Sequence, residues 1–235
     1  MRLIFVRHGD PDYRNDCLTP SGVIQAQNTA LRLKDEKITA IYSSPMGRAR
    51  QTASFTAADH GLPVQVLDFM HEIDWGDRDP DTPEENRLPM RGHPWGLGYR
   101  LLAENPEYVG STEWSGHHYF RDNRCMDYYD MISEKFDEFL AGYGLIRKGG
   151  LYICEKPCDD TIALFAHGGS GACMFAHVLS LPFPFVLTGI PYGVCSVSVI
   201  DFSPLDGRTV LPRLELFNDM AHVAKVREEK LHFDK

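Results

Sequence analysis

Two apolar runs in this chain end the same way. Leu3-Ile4-Phe5-Val6 stops at Arg7-His8-Gly9, and Ile162-Ala163-Leu164-Phe165-Ala166, after Thr161, stops at His167-Gly168-Gly169. A short, unbroken apolar run reads as a strand buried on both faces, as in a parallel sheet covered by helices. Ligands of such sheets bind in the crevice at the carboxyl ends of the strands. Two strands that each end in His-Gly therefore predict two imidazoles converging on one site.

Helices are predicted between the runs. Thr19 is a good N-cap with Pro20 in the first turn, and Val23, Ala26, Ala30 and Leu33 follow at helical spacing. Ile38 to Tyr42 reads as a strand, Ser43-Ser44-Pro45 as the capped start of a helix reaching about Gly61, and Leu62 to Leu67 as a third strand. Near the end, Val194 to Phe202 and Val210 to Phe217 are strand-like runs joined through Pro204-Leu205-Asp206-Gly207, with Asp-Gly a strong turn signal. The middle is different. Between residues 75 and 143 lie all three tryptophans, mixed with Arg87, Arg91, Arg100, Arg121 and Arg124. There, Cys125, Tyr129, Ile132, Phe136, Leu140 and Tyr143 predict one long amphipathic helix. No linker-like Gly/Ser run marks a boundary. The expectation is a three-layer α/β/α sandwich with a mostly parallel sheet and an antiparallel edge hairpin. It forms one domain over residues 1–235, with an aromatic-rich cap inserted at about 77–150 and packed over the crevice.

Charge and composition narrow the partners. The formal net charge of −9 argues against nucleic acid and anionic membrane surfaces, both of which want a basic face. No apolar stretch approaches the roughly 20 residues needed to span a bilayer. Met1-Arg2-Leu3 enters a strand at once without a signal-peptide layout, so a cytoplasmic protein is expected. Cys17, Cys125, Cys154, Cys158, Cys173 and Cys195 are scattered, which suits reduced thiols better than a disulfide framework.

Gathered together, Arg7, His8, Arg48 and His167 would make a phosphate site. Arg48 falls in the first turn of the second helix, where free backbone N–H groups and the helix dipole favour an anion. Arginine forks match phosphate oxygens bidentately. A neutral imidazole beside the phosphate can attack phosphorus and split one difficult displacement into two. Gly9 would let substrate approach the backbone beside that nucleophile. A second, protonated histidine would stabilise the equatorial oxygens.

The motifs together resemble the histidine phosphatase superfamily, the phosphoglycerate-mutase-like group. They are Arg7-His8-Gly9, Leu18-Thr19-Pro20-Ser21-Gly22 with Gln25-Ala26, the run from Ser43-Ser44-Pro45-Met46-Gly47-Arg48 to Ala53, His167-Gly168, and the late Asn218-Asp219-Met220-Ala221-His222. Residues 77 to 150 match only weakly. The resemblance implies a phosphoglycerate-mutase-like fold and a phosphorylated His8, with Arg7, Arg48, His167 and Gly168 around the phosphate. It points to Glu72, within Met70-His71-Glu72-Ile73-Asp74-Trp75-Gly76, as proton donor to the leaving group, with Asp74 the nearby rival. It expects an asparagine in the loop after Arg-His-Gly; counting reaches Arg14, with Asn15 one place later, and Asn15 is the preferred contact. It also places Arg124, near Gly116-His117-His118, among substrate-facing residues.

The implied activity is that of a phosphoric monoester hydrolase of the histidine acid phosphatase type. It would act on a phosphorylated small molecule through a phosphohistidine, with no cofactor and no metal. Two alternatives stand beside it. One is a phosphoglycerate mutase-type phosphotransferase, although Asp10-Pro11-Asp12 stands where mutases usually carry an acid followed by serine. The other is a non-catalytic module that binds a phospho-ligand. Neither His117, His118 and Cys125 nor Cys154 and Cys158 have convincing four-ligand zinc spacing. His60, His177, His222 and His232 receive no role. Substrate identity and oligomeric state are not legible.

Overall fold

The structure, a computed structural model, describes residues 1–223; His232 lies outside them. In chain order the elements are β1 Arg2–Arg7, β2 Pro11–Asp12, β3 Cys17–Leu18, α1 Pro20–Leu33, β4 Ala40–Ser43, α2 Gly47–His60 and β5 Val64–Val66. Then come α3 Pro94–Glu104, α4 His118–Arg121, α5 Cys125–Gly142, β6 Leu145–Lys148, β7 Leu151–Cys154 and β8 Thr161–Ala166. The series closes with α6 Gly168–Val178, α7 Phe183–Gly189, β9 Val197–Asp201, β10 Thr209–Val210 and β11 Arg213–Asp219. These elements form two compact units: Met1–Glu72 with Asp137–Gly171 and the chain from Tyr192 onward, and Ile73–Phe136 with Ala172–Pro191.

The first unit is built on a six-stranded sheet in the order β11-β9-β1-β8-β4-β5. β1, β8, β4 and β5 are parallel, while β9 pairs antiparallel with both β1 and β11. The apolar runs are buried on both sides because helices cover both faces. On one face Ile4, Val6, Ile41, Ala163 and Phe165 pack with Leu33 of α1 and with Ala53 and Ala57 of α2. On the other, Tyr42 meets Phe139 of α5 edge to face at 4.9 Å, and the Phe5 ring lies against Gly171 of α6. The three layers and the edge hairpin are as the pattern predicts.

Three boundaries differ from expectation. Thr19 does cap α1, accepting from Gly22 N–H, but α2 begins only at Gly47, behind an N-cap Met46 that makes no side-chain bond. The third strand shrinks to Val64–Val66. The run from Val210 splits: Val210 pairs with Tyr152 in a separate antiparallel sheet, β10-β7-β6, and the edge strand starts at Arg213. Just before β10 the Asp206 carboxylate accepts from the N–H groups of Arg208 and Thr209, and Leu211-Pro212 separates β10 from β11.

The second unit holds α3, α4, α7 and the larger parts of α5 and α6. Its core is aromatic: Trp114 contacts Phe120, Tyr129 and Phe183 with ring centroids 5.7, 5.7 and 6.2 Å away. Buried Asn123 ties its turns together, donating to the carbonyls of Gly92 and Tyr119 and accepting from Cys125 N–H. The long helix predicted from the periodicity of Cys125 to Tyr143 is α5. Among the described residues, no helix is long and apolar enough to cross a membrane.

Candidate active site

Strand register brings the two histidines together. In the parallel pair β1·β8, Arg7 stands opposite Ala166, so His8 and His167 are the next residues on each strand, and His8 N–H donates to Ala166 carbonyl at 2.9 Å. β4 ends level with them, with Ser44 N–H donating to Phe165 carbonyl. The rings of His8 and His167 lie 5.1 Å apart between centroids. Both are buried.

Each ring is oriented by one bond. His8 Nδ1 donates to the Gly9 carbonyl at 2.7 Å, which leaves Nε2 of the neutral ring with its lone pair. His167 Nε2 meets Ser44 Oγ at 2.6 Å. The same Oγ accepts from Met46 N–H; with its hydroxyl hydrogen directed to His167 Nε2, the ring proton of His167 sits on Nδ1. Ser44 is thus not the helix cap expected from the sequence. It orients His167.

Both guanidinia reach this cluster. Arg7 lies against Gly168, with Cζ 3.6 Å from where a Cβ would stand, and donates to Tyr192 carbonyl. Arg48, in the first turn of α2, is buried, while Arg50 points outward and is exposed. Arg7 Nε, Arg48 Nε and His167 Nδ1 are all buried without a protein partner. Three buried nitrogen donors left open beside an imidazole suit a tetrahedral oxyanion.

Burial, then the charges of Arg7 and Arg48, push the His8 pKa down to about 3. Burial, then His8, Arg48 and Arg7, also lower that of His167. At neutral pH both rings are neutral in the free site. His8 therefore has the form a nucleophile needs.

Glu72 is held at the start of α6. α6 starts directly after His167, and its N–H groups of Gly169 and Ser170 donate to Glu72 Oε1 at 2.9 and 3.0 Å. Asp74, its rival, is instead paired with Arg124 at 2.9 Å. Both partners of that pair are about half exposed and belong to the second unit.

The loop after Gly9 is tied largely to itself. Asn15 is exposed and its amide donates to Asp12 at 2.7 Å, while Arg14 is likewise exposed with its N–H on Asp12. The side chain that this loop delivers to Arg48 is Asp16, at 2.6 Å. Gly9 is required by packing, since a Cβ there would stand 2.8 Å from the Gly22 carbonyl oxygen in the first turn of α1. Asp16 and the orienting part of Ser44 were missed from the sequence. The loop holds three aspartates, and nothing in their spacing distinguishes the third. His60 bonds to the Leu33 carbonyl, and His222 to the carbonyl of Cys195, whose own N–H donates to the Arg7 and His8 carbonyls. No group of three or more His, Cys, Asp or Glu among the described residues is placed to hold a metal ion.

Residues 3–95 match the model of the histidine phosphatase superfamily, branch 1. The adenosylcobalamin/alpha-ribazole phosphatase of Escherichia coli is 33% identical over 77% of this chain and 81% of its own length. A probable phosphoglycerate mutase of Yersinia enterocolitica is 25% identical over 86% of this chain and 85% of its own. In fold, the chain is similar to the phosphoserine phosphatase of Entamoeba histolytica solved in complex with 3-phosphoglyceric acid. That likeness has a TM-score of 0.63, 22% identity, and coverage of 94% of this chain and 98% of that one. A mycobacterial glucosyl-3-phosphoglycerate phosphatase is similar at a TM-score of 0.60 and 22% identity, covering 92% and 98%. The chain belongs to the histidine phosphatase superfamily. Its activity is of the phosphatase or mutase type.

Proposed function

We propose that this chain is a phosphatase that hydrolyses a small-molecule phosphomonoester through a phosphohistidine on His8. The observation that carries the reading is the pairing of a neutral His8, its Nδ1 tied to Gly9, with three buried nitrogen donors that lack partners. A tetrahedral phosphate accepts from those donors. Arg7 and Arg48 neutralise its charge, so the reading needs no metal for that purpose.

In the first step His8 Nε2 attacks phosphorus and the bond from phosphorus to the ester oxygen breaks. The departing oxygen takes a proton from Glu72 and leaves as an alcohol. The N–H groups of Gly169 and Ser170 hold the Glu72 carboxyl at the start of α6, directly after His167. In the second step water attacks phosphorus, the nitrogen–phosphorus bond breaks, and the water proton passes to Glu72. Inorganic phosphate is the product.

A phosphotransferase would share the first step and return the phosphoryl group to an organic acceptor. The test is turnover of p-nitrophenyl phosphate in EDTA. The reading expects p-nitrophenolate and inorganic phosphate in equal amounts; phosphate appearing on an added alcohol instead favours the mutase-type reaction. No turnover, with phosphate still bound, leaves a binding module and contradicts the proposal.

A further inference from the structure

Asp16 plays no part in the steps above, yet its carboxylate is fixed against the phosphate-side arginine. Oδ1 accepts from Arg48 Nη1 and Oδ2 from the Gly47 N–H that opens α2, both at 2.6 Å. The residue holds a left-handed backbone, φ +47°, which a non-glycine residue rarely adopts. Contact with α2 keeps it there, because the Asp16 carbonyl lies where a Cβ on Gly47 would fall. The Tyr13 ring covers Arg48 with its centroid 5.4 Å from Cζ. The Asp16 charge is also felt at His8.

A helix N-terminus and an arginine beside a phosphate pocket would ordinarily welcome a second anionic group. Here both donors are taken by a side chain of the protein itself. We infer that Asp16 is a built-in counter-anion that orients Arg48 and restricts the enzyme to phosphate esters whose organic part carries no second negative charge nearby. This rests on the phosphatase reading of the site. A substrate carboxylate entering beside the phosphate must displace Asp16 or lie next to it. At separations of a few ångströms and an effective dielectric near 20, that repulsion is worth at least about tenfold in binding.

A residue that merely positions Arg48 would affect all esters alike, so the test reads a ratio. Glycerol 3-phosphate and 3-phosphoglycerate differ at one end, hydroxymethyl against carboxylate, and each is measured as a competitor of p-nitrophenyl phosphate hydrolysis. The wild-type protein is expected to bind glycerol 3-phosphate about tenfold more tightly. That preference should shrink as ionic strength rises toward about 1 M. In Asp16→Asn the ratio should move about tenfold toward 3-phosphoglycerate, whatever happens to either constant alone. Should the variant fail to fold, the salt series on the wild type still decides. Equal or reversed preference in the wild type, or a ratio unchanged in Asp16→Asn, overturns the inference while leaving the phosphatase reading intact. No hydrolysis of p-nitrophenyl phosphate by the wild type overturns that reading and the inference with it.

Discussion

In the sheet unit, hydrogen-bonding register decides where the chemistry stands: Arg7 pairs with Ala166, so His8 and His167 emerge side by side at one edge. In the unit of residues 73–136 and 172–191, no strand ladder does this work. There, Trp114 sits among three other rings and Asn123 stitches loop carbonyls together. The difference is one of range. A ladder transmits position residue by residue along a repeating backbone, so a motif at a strand end is located as soon as the strand is recognised. Aromatic packing depends on partners far apart in sequence, and no local pattern announces them.

Glu72 and Asp74 show the same contrast two residues apart. Glu72 is held by backbone N–H groups at a helix start, a position the fold dictates, whereas Asp74 is held by the side chain of Arg124. The widest break between these roles comes from removing the nucleophile itself. His8→Ala should lower turnover of every phosphate ester by roughly 10⁴-fold or more, as deletion of a covalent nucleophile does, with circular dichroism unchanged. Glu72→Gln should follow. In the first, phosphoryl-transfer step alkyl phosphates are expected to lose about 10²–10⁴-fold in rate, while the first-turnover burst of p-nitrophenolate from p-nitrophenyl phosphate, whose leaving group needs little proton assistance, is largely spared. Equal losses on both would move the acid role elsewhere, with Asp74 the first residue to test.

A smaller effect tests the burial of the two histidines. His8 stays neutral in the folded protein down to about pH 3, and His167 is shifted in the same direction, whereas both accept a proton near pH 6.5 once unfolded. The unfolded state therefore binds more protons as pH falls through that window. Stability contributed by the neutral rings is full above pH 6.5 and drains below it, at up to about 1.4 kcal/mol per pH unit for each ring. Urea melts between pH 7 and 4 should show His8→Asn losing less stability with acid than the wild type. An identical slope would mean that His8 is not held neutral.

The smallest expected change lies in the second unit. The Arg124–Asp74 pair is half exposed and screened, so Arg124→Ala should cost under about 1 kcal/mol in a urea melt. In keeping with its proposed substrate-facing role, the same change should raise KM for an alkyl ester more than for p-nitrophenyl phosphate. Equal shifts on the two esters would remove Arg124 from substrate binding.

What could be read from the sequence follows the same division. The strand ends, the Thr19 cap and the α5 periodicity were legible, because each rests on spacing along one element; the grouping of Arg7, His8, Arg48 and His167, which lie on different elements, came from the matched strand ends and the family resemblance. Asp16 was not legible, since its partner is 32 residues away and its selection over Asp10 and Asp12 depends on a left-handed turn. Ser44 reads as a cap because a serine before a helix usually is one. The structure gives its hydroxyl to His167, a residue 123 positions away. The Arg124–Asp74 pair was likewise hidden, its partners standing 50 residues apart.

The central claim is that His8 takes the phosphoryl group. It is tested most directly by mixing Glu72→Gln with an activated phosphate ester, quenching under alkaline conditions within milliseconds, and locating the phosphoryl group by peptide mass spectrometry. The account predicts an acid-labile phosphohistidine at His8 that disappears in the Glu72→Gln protein also carrying His8→Ala. A phosphoryl group on any other residue, or steady turnover with no covalent intermediate at all, would contradict it.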